Sequence, residues 1–250
     1  MTGTLRYEWR RISTVRSTWL LIVLGILVPA GFALLVAWLA SISDGQGGGP
    51  PNDGSASGLA AFLPLSAAIL CTIGAAAFGQ EYRHELIRVT LAVFPRRTPV
   101  FLAKLAMVIL VIAVTAAVAI AAVVVAEYIG GVIAATSTGW NTDVLGSTGI
   151  LGLLYVVTFV LIAFAITALT RNQPLGIIAP IVLMFLVEPI VGLIAMSQFW
   201  TWIDWVLPFS GGQAALVVGG AEAWGHMAVF FGWFLVLAIP AWILFLRRDA

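Results

Sequence analysis

The sequence predicts an all-α membrane protein: one domain, residues 1–250, with six transmembrane helices and both termini cytoplasmic. Three observations predict it. Apolar residues make up 62% of the chain and charged residues 9%, against roughly half and about a quarter in a soluble domain. Six apolar runs approach or exceed the roughly 20 residues that a helix needs to cross a hydrocarbon core of about 30 Å. The basic side chains fall only in alternate connections between those runs. With 12 basic and 11 acidic residues, the chain has too little charge to coat a soluble surface. A net charge of +1 offers no electrostatic footprint for nucleic acid. The single cysteine, Cys71, excludes an intrachain disulfide.

The six runs are Thr18–Ala40, Leu59–Gly79, Val100–Ala126, Gly149–Leu169, Pro174–Met196 and His226–Leu246. Thr98-Pro99 and Gln173-Pro174 put proline near the first turn of a helix, where its missing N–H is not needed. Arg6, Arg10, Arg11 and Arg16 precede the first run; Arg83, Arg88, Arg96, Arg97 and Lys104 lie between or just inside the second and third. Arg171 separates the fourth from the fifth, and Arg247 and Arg248 follow the sixth. The other side holds acids and no Lys or Arg, so the positive-inside rule makes both termini cytoplasmic. Trp38, Trp140, Trp200, Trp202, Trp205 and Trp224 fall near the outer boundaries and Trp9, Trp19 and Trp242 near the inner ones, as amphipathic rings at headgroup level do. The first run has the length of an anchor and exceeds the apolar stretch of a cleaved signal peptide.

The connections add detail. Leu5, Trp9 and Ile12 recur at helical spacing beside Arg6 and Arg10, which predicts an amphipathic helix on the inner leaflet; the other reading is a basic flank that sets orientation. Residues 41–58 have linker composition. Residues 80–99 place Tyr82, Leu86, Val89 and Val93 on one stripe and Glu81, Glu85 and Arg88 on another. This predicts a short cytoplasmic amphipathic helix over Glu81–Phe94, ended by Pro95. Its two acids suit a protein partner with Arg or Lys better than an anionic lipid surface. Arg10, Arg11, Arg96, Arg97 and Lys104 read as inner-interface anchors. Residues 197–225 hold two short apolar pieces broken by Pro208 and Gly219-Gly220, which predict half-helices before the last span.

Catalytic chemistry is missing from the sequence. Lys104 follows Phe101-Leu102-Ala103 and not a glycine-rich phosphate loop. His84-Glu85-Leu86-Ile87-Arg88 lacks the second histidine of a zinc-protease helix, so no metal site is expected. No G-x-S-x-G turn occurs, and Cys71 reads as an inert buried thiol. Glu188, before Pro189, is the clearest carboxylate inside a span. It is either part of a transport pathway or a neutral or water-facing group near the outer edge.

These features resemble the ABC-2 type permeases, the membrane subunits of ATP-binding-cassette transporters. The resemblance rests on Gly79-Gln80-Glu81-Tyr82-Arg83, then Pro95-Arg96-Arg97 and Lys104, matching a Glu-aromatic-Arg group followed by a Pro-Arg pair and a lysine. Glu85-Leu86 stands where the family commonly has Gly-Thr. The resemblance implies a permease that pairs with a second permease copy or paralogue in the cell membrane. ATP and Mg would be bound by separate cytoplasmic ATPase subunits, with no cofactor in this chain. Glu81, Tyr82, Arg83, Glu85 and Arg88 would then form the ATPase-docking coupling helix. Export of a drug-, peptide- or lipid-like compound is the activity this implies; a self-contained channel or secondary carrier is the alternative.

Overall fold

The computed structural model describes residues 2–43, 55–83, 97–133, 142–197, 200, 202–218 and 220–247. Ten α-helices and no strands occur among them. They are α1 (Thr2–Thr14), α2 (Arg16–Ser43), α3 (Ser55–Arg83), α4 (Arg97–Ile133), α5 (Thr142–Thr170), α6 (Gln173–Val182), α7 (Glu188–Ser197), α8 (Ile203–Val206), α9 (Pro208–Val218) and α10 (Gly220–Arg247). A π-helical segment, Leu183–Val187, joins α6 to α7 into one continuous rod. Six helices are long and apolar enough to span: α2, α3, α4, α5, α6–α7 and α10. Each runs past the apolar run that predicted it, because helix geometry continues into the polar flanks while hydropathy falls there.

The ends of the helices group as alternate crossings require. Arg11 reaches the Ala77 carbonyl at 2.9 Å, Arg97 reaches the Phe245 carbonyl at 3.3 Å, and the Arg171 guanidinium lies 5.3 Å from the centre of the Tyr82 ring. The start of α1–α2, the end of α3, the start of α4, the α5–α6 turn and the end of α10 therefore share one end. Gly58 beside Glu127 and Gly130 beside Ala37 mark the opposite end. The two-residue turn Arg171-Asn172 reverses the chain through a positive φ of 54° at Arg171. Asn172 Oδ1 then caps α6 by accepting from the Leu175 N–H at 3.3 Å, with Pro174 in the first turn.

The α3–α5 pair forms the centre. In the apolar stretch of α5, 67% of residues are buried, against 17% in α2 and 17% in α6–α7, which lie outside. Close approach depends on small residues: a Cβ on Gly74 would lie 2.5 Å from the Val160 carbonyl oxygen. Backbones that meet this closely are how helices associate without a hydrophobic driving force between them. Under the inner end, Phe78, Phe101, Phe164 and Phe245 from four helices meet in tilted and edge-on contacts, at centroid distances of 5.0 to 5.8 Å.

The predicted half-helices are α8 and α9. At 11 residues and about 1.5 Å rise per residue, α9 is about half as long as the core is thick. It buries Phe209, Gly211, Gly212, Ala215 and Leu216 against its neighbours. The π segment has its cause in Pro189. Without an N–H this residue cannot continue the regular ladder, and the Glu188 N–H reaches back five residues to the Leu183 carbonyl.

Candidate functional site

The chemistry the chain does possess gathers at the inner end. On α3, Gly74, Ala77, Phe78 and Glu81 recur at i, i+3, i+4 and i+7 and form one buried face. Glu81 extends that face beyond the apolar run. On α4, Lys104 lies seven residues after Arg97 with its side chain 0% exposed. On α1, the side turned toward the other helices is the polar row Thr4, Glu8 and Arg11, while Leu5 and Trp9 stay exposed.

These residues form one cluster. Lys104 Nζ donates to Glu8 Oε1 at 2.7 Å and to Glu81 Oε1. Arg11 Nη1 donates to the same Glu81 oxygen at 2.6 Å and lies 3.5 Å from Glu8 Oε2. Arg11 Nη2 also donates to the Ala77 carbonyl, which anchors the guanidinium to the last turns of α3. Two acids and two bases cancel, as buried ions must. Lys104 Nζ additionally sits 5.5 Å from the centre of the Phe78 ring, a cation–π contact on the aromatic floor. Glu81 Oε2 is buried and meets no donor among the described residues. The cluster thus pins the end of α3, the start of α4 and α1 to one another.

Against the sequence reading, this is a relocation of two residues. Glu81 was expected on a docking face; it is 1% exposed and turned inward, because α3 runs on to Arg83 instead of ending at Gly79. Lys104 was expected at the lipid interface and is a buried ion. Of the other expected docking residues, Tyr82 is half-buried against Phe78 and Arg83 is exposed; Glu85 and Arg88 lie outside the described residues. Among the expected anchors, Arg10 is exposed, Arg11 joins the cluster and Arg97 bonds α10, while Arg96 lies outside the described residues. Glu8 was missed. Its signal was the isolated Lys104, a charge within an apolar run that needs a counter-ion.

A second polar node lies toward the outer end. Glu188 is 3% exposed. Its carboxylate accepts from the Phe209 N–H at 3.0 Å, from the Ser210 N–H, and from Ser210 Oγ at 2.7 Å. It therefore caps the N-terminus of α9, where free N–H groups and the helix dipole favour a negative charge. Nearby, Trp205 of α8 stacks on the buried His226 ring at 3.9 Å, and Trp233 donates to the Val206 carbonyl at 3.0 Å. No group of three or more metal-ligating side chains occurs among the described residues.

In comparison with protein families, residues 4–187 match a family described as ABC-2 family transporter protein. The matched stretch contains Glu8, Arg11, Glu81, Lys104 and, at its far edge, the π segment. No curated protein matches the chain significantly.

Proposed function

The chain belongs to the ABC-2 transporter family, and from that premise we propose that it exports a hydrophobic or amphipathic compound across the cell membrane. It is a multi-pass permease, the membrane component of an ATP-binding-cassette transporter, and ATP hydrolysis belongs to a separate subunit. Two permease chains, identical or paralogous, work with two cytoplasmic ATPase subunits that bind ATP and Mg. The segment after α3 docks on the ATPase through Arg83, Glu85 and Arg88, with Tyr82 at its base.

The observation that carries this reading is the buried Glu8–Arg11–Glu81–Lys104 cluster. It stands at the point where α3 leaves the membrane toward residues 84–96 and α4 re-enters after them. A displacement of that connection on ATP binding is passed to α3, α4 and α1 together, since pulling one ion out leaves an uncompensated charge buried among the remaining three. Apolar faces on α2 and α6–α7 remain exposed and suit contact with lipid and with a second permease chain.

Purification from native membranes tests the reading, with an ATPase-sized partner expected at stoichiometric yield. Reversing the charges in Arg83→Glu/Glu85→Lys/Arg88→Glu should abolish that association and ATP-driven transport while insertion persists. Flux through the purified chain alone, without nucleotide, would instead mark a self-contained channel or carrier.

A further inference from the structure

The charge on α1 is divided between its faces. Its acid, Glu8, is turned inward to Lys104 and Arg11. Arg6, Arg10 and, at the start of α2, Arg16 are exposed and have no ion pair among the described residues. Among the described residues the inward cluster thus leaves these three exposed positive charges without an acidic partner.

The residues that follow Arg6, Arg10 and Arg16 in sequence, Trp9, Ser13 and Thr18 among them, line a groove of about 270 Å³ between α1, α2 and α4. Trp9 and Ser13 of α1, Trp19 and Ile22 of α2, and Val111 and Val114 of α4 line it. Its lining is mainly apolar, with Ile12, Ile22, Leu110, Val111 and Val114 beside the two indoles. Three of its polar groups are bonded within the protein. The Ser13 hydroxyl donates to the Arg10 carbonyl at 3.1 Å. The Trp19 indole N–H donates to the Ser13 carbonyl at 3.0 Å, and the Thr115 hydroxyl donates to the Val111 carbonyl at 2.8 Å. The lining therefore suits an apolar occupant. Its depth is also telling. Lys104 lies level with α1 through its bond to Glu8, and Val111–Thr115 lie seven to eleven residues deeper on α4. At about 1.5 Å per residue this is roughly 10–17 Å, the depth of one leaflet of a core of about 30 Å. Trp9 and Trp19, 51% and 54% exposed, stand at its mouth, where indole rings favour the headgroup level.

We propose that this groove is a binding site for one anionic phospholipid of the inner leaflet. An acyl chain lies along α4 between Trp9 and Trp19, and the phosphate sits on Arg6, Arg10 and Arg16. Guanidinium groups recognise phosphate oxygens by paired, charge-assisted hydrogen bonds, and clustered basic side chains beside a membrane select anionic headgroups. The occupant packs against α4 deeper along the same face that carries Lys104, since Lys104, Val111 and Thr115 recur at i, i+7 and i+11. The site stands independently of the transport reading, because it needs only the folded chain in contact with lipid.

Native mass spectrometry of the full chain in detergent, with added phosphatidylglycerol or phosphatidylcholine of identical acyl chains, tests it. The expected result is a one-to-one phosphatidylglycerol adduct retained several-fold more than the phosphatidylcholine adduct. Arg6→Gln/Arg10→Gln/Arg16→Gln should bring the two lipids level. Val114→Trp, which fills the groove from an exposed position and leaves every arginine in place, should remove the adduct. Equal retention of both lipids by the unaltered chain would overturn the proposal. So would a phosphatidylglycerol adduct that survives Val114→Trp, since headgroup attraction alone would then explain it.

Discussion

The inner and outer ends of this bundle satisfy buried carboxylates in opposite ways. At the inner end, Glu8 and Glu81 are neutralised by the cations Lys104 and Arg11, the four ions together coming from three helices. At the outer end, Glu188 meets no cation among the described residues and takes the N–H groups of Phe209 and Ser210 with the Ser210 hydroxyl, all from the start of α9. The inner arrangement ties together helices distant in sequence and fails if any one ion is lost. The outer one orients a single short helix and can lose a donor without stranding an opposite charge. A machine driven from the cytoplasmic side needs the stiff connection at the inner end.

Substitutions separate the two cases. Lys104→Met leaves two buried carboxylates facing Arg11 alone and should cost about 3–5 kcal/mol, read as a large fall in thermal unfolding temperature in detergent. Lys104→Met/Glu81→Met removes the stranded charge and should recover most of that loss, leaving the Glu8–Arg11 pair. At the centre between the two ends, Gly74→Ala forces α3 and α5 apart at the Val160 carbonyl and should cost about 1–3 kcal/mol by the same measurement. Glu188→Gln keeps the shape but turns an amide NH₂ toward a donor of α9, with an expected loss of about 1–2 kcal/mol. Its signature is local: faster hydrogen exchange at Phe209 and Ser210, with the inner end unchanged. Ser210→Ala should be the smallest effect, about 0.5–1.5 kcal/mol, because both backbone donors to Glu188 remain. If Ser210→Ala proved as damaging as Lys104→Met, the contrast between the ends would be wrong.

The six spans were legible because the bilayer imposes a length on apolar runs. The half-helices α8 and α9 were legible from Pro208 and Gly219-Gly220, which bound apolar pieces too short to span. The fate of Glu81 was not. Periodicity placed Glu81 and Glu85 on one helical stripe, but only tertiary contact could show that α3 continues to Arg83 and turns Glu81 toward Lys104. On α1 the spacing of Leu5, Trp9 and Ile12 predicted an amphipathic helix on the inner leaflet, and Leu5 and Trp9 are exposed, but no local pattern named the partners of its other side. Its polar row faces inward because Lys104 and Glu81 supply partners there that lipid cannot. Glu188 was recognisable as a buried carboxylate, while its partners on α9 lie 21 and 22 residues away, beyond any local pattern.

The central claim is that the inner ion cluster transmits motion from the ATPase to the spans. It is tested most directly by reconstituting the complex with Lys104→Met/Glu81→Met and measuring ATP hydrolysis and transport in the same vesicles. The account predicts a folded complex that retains its ATPase and hydrolyses ATP but transports little, with transport partly restored by the swapped pair Glu81→Lys/Lys104→Glu. Undiminished ATP-driven transport in the doubly neutral variant would contradict it.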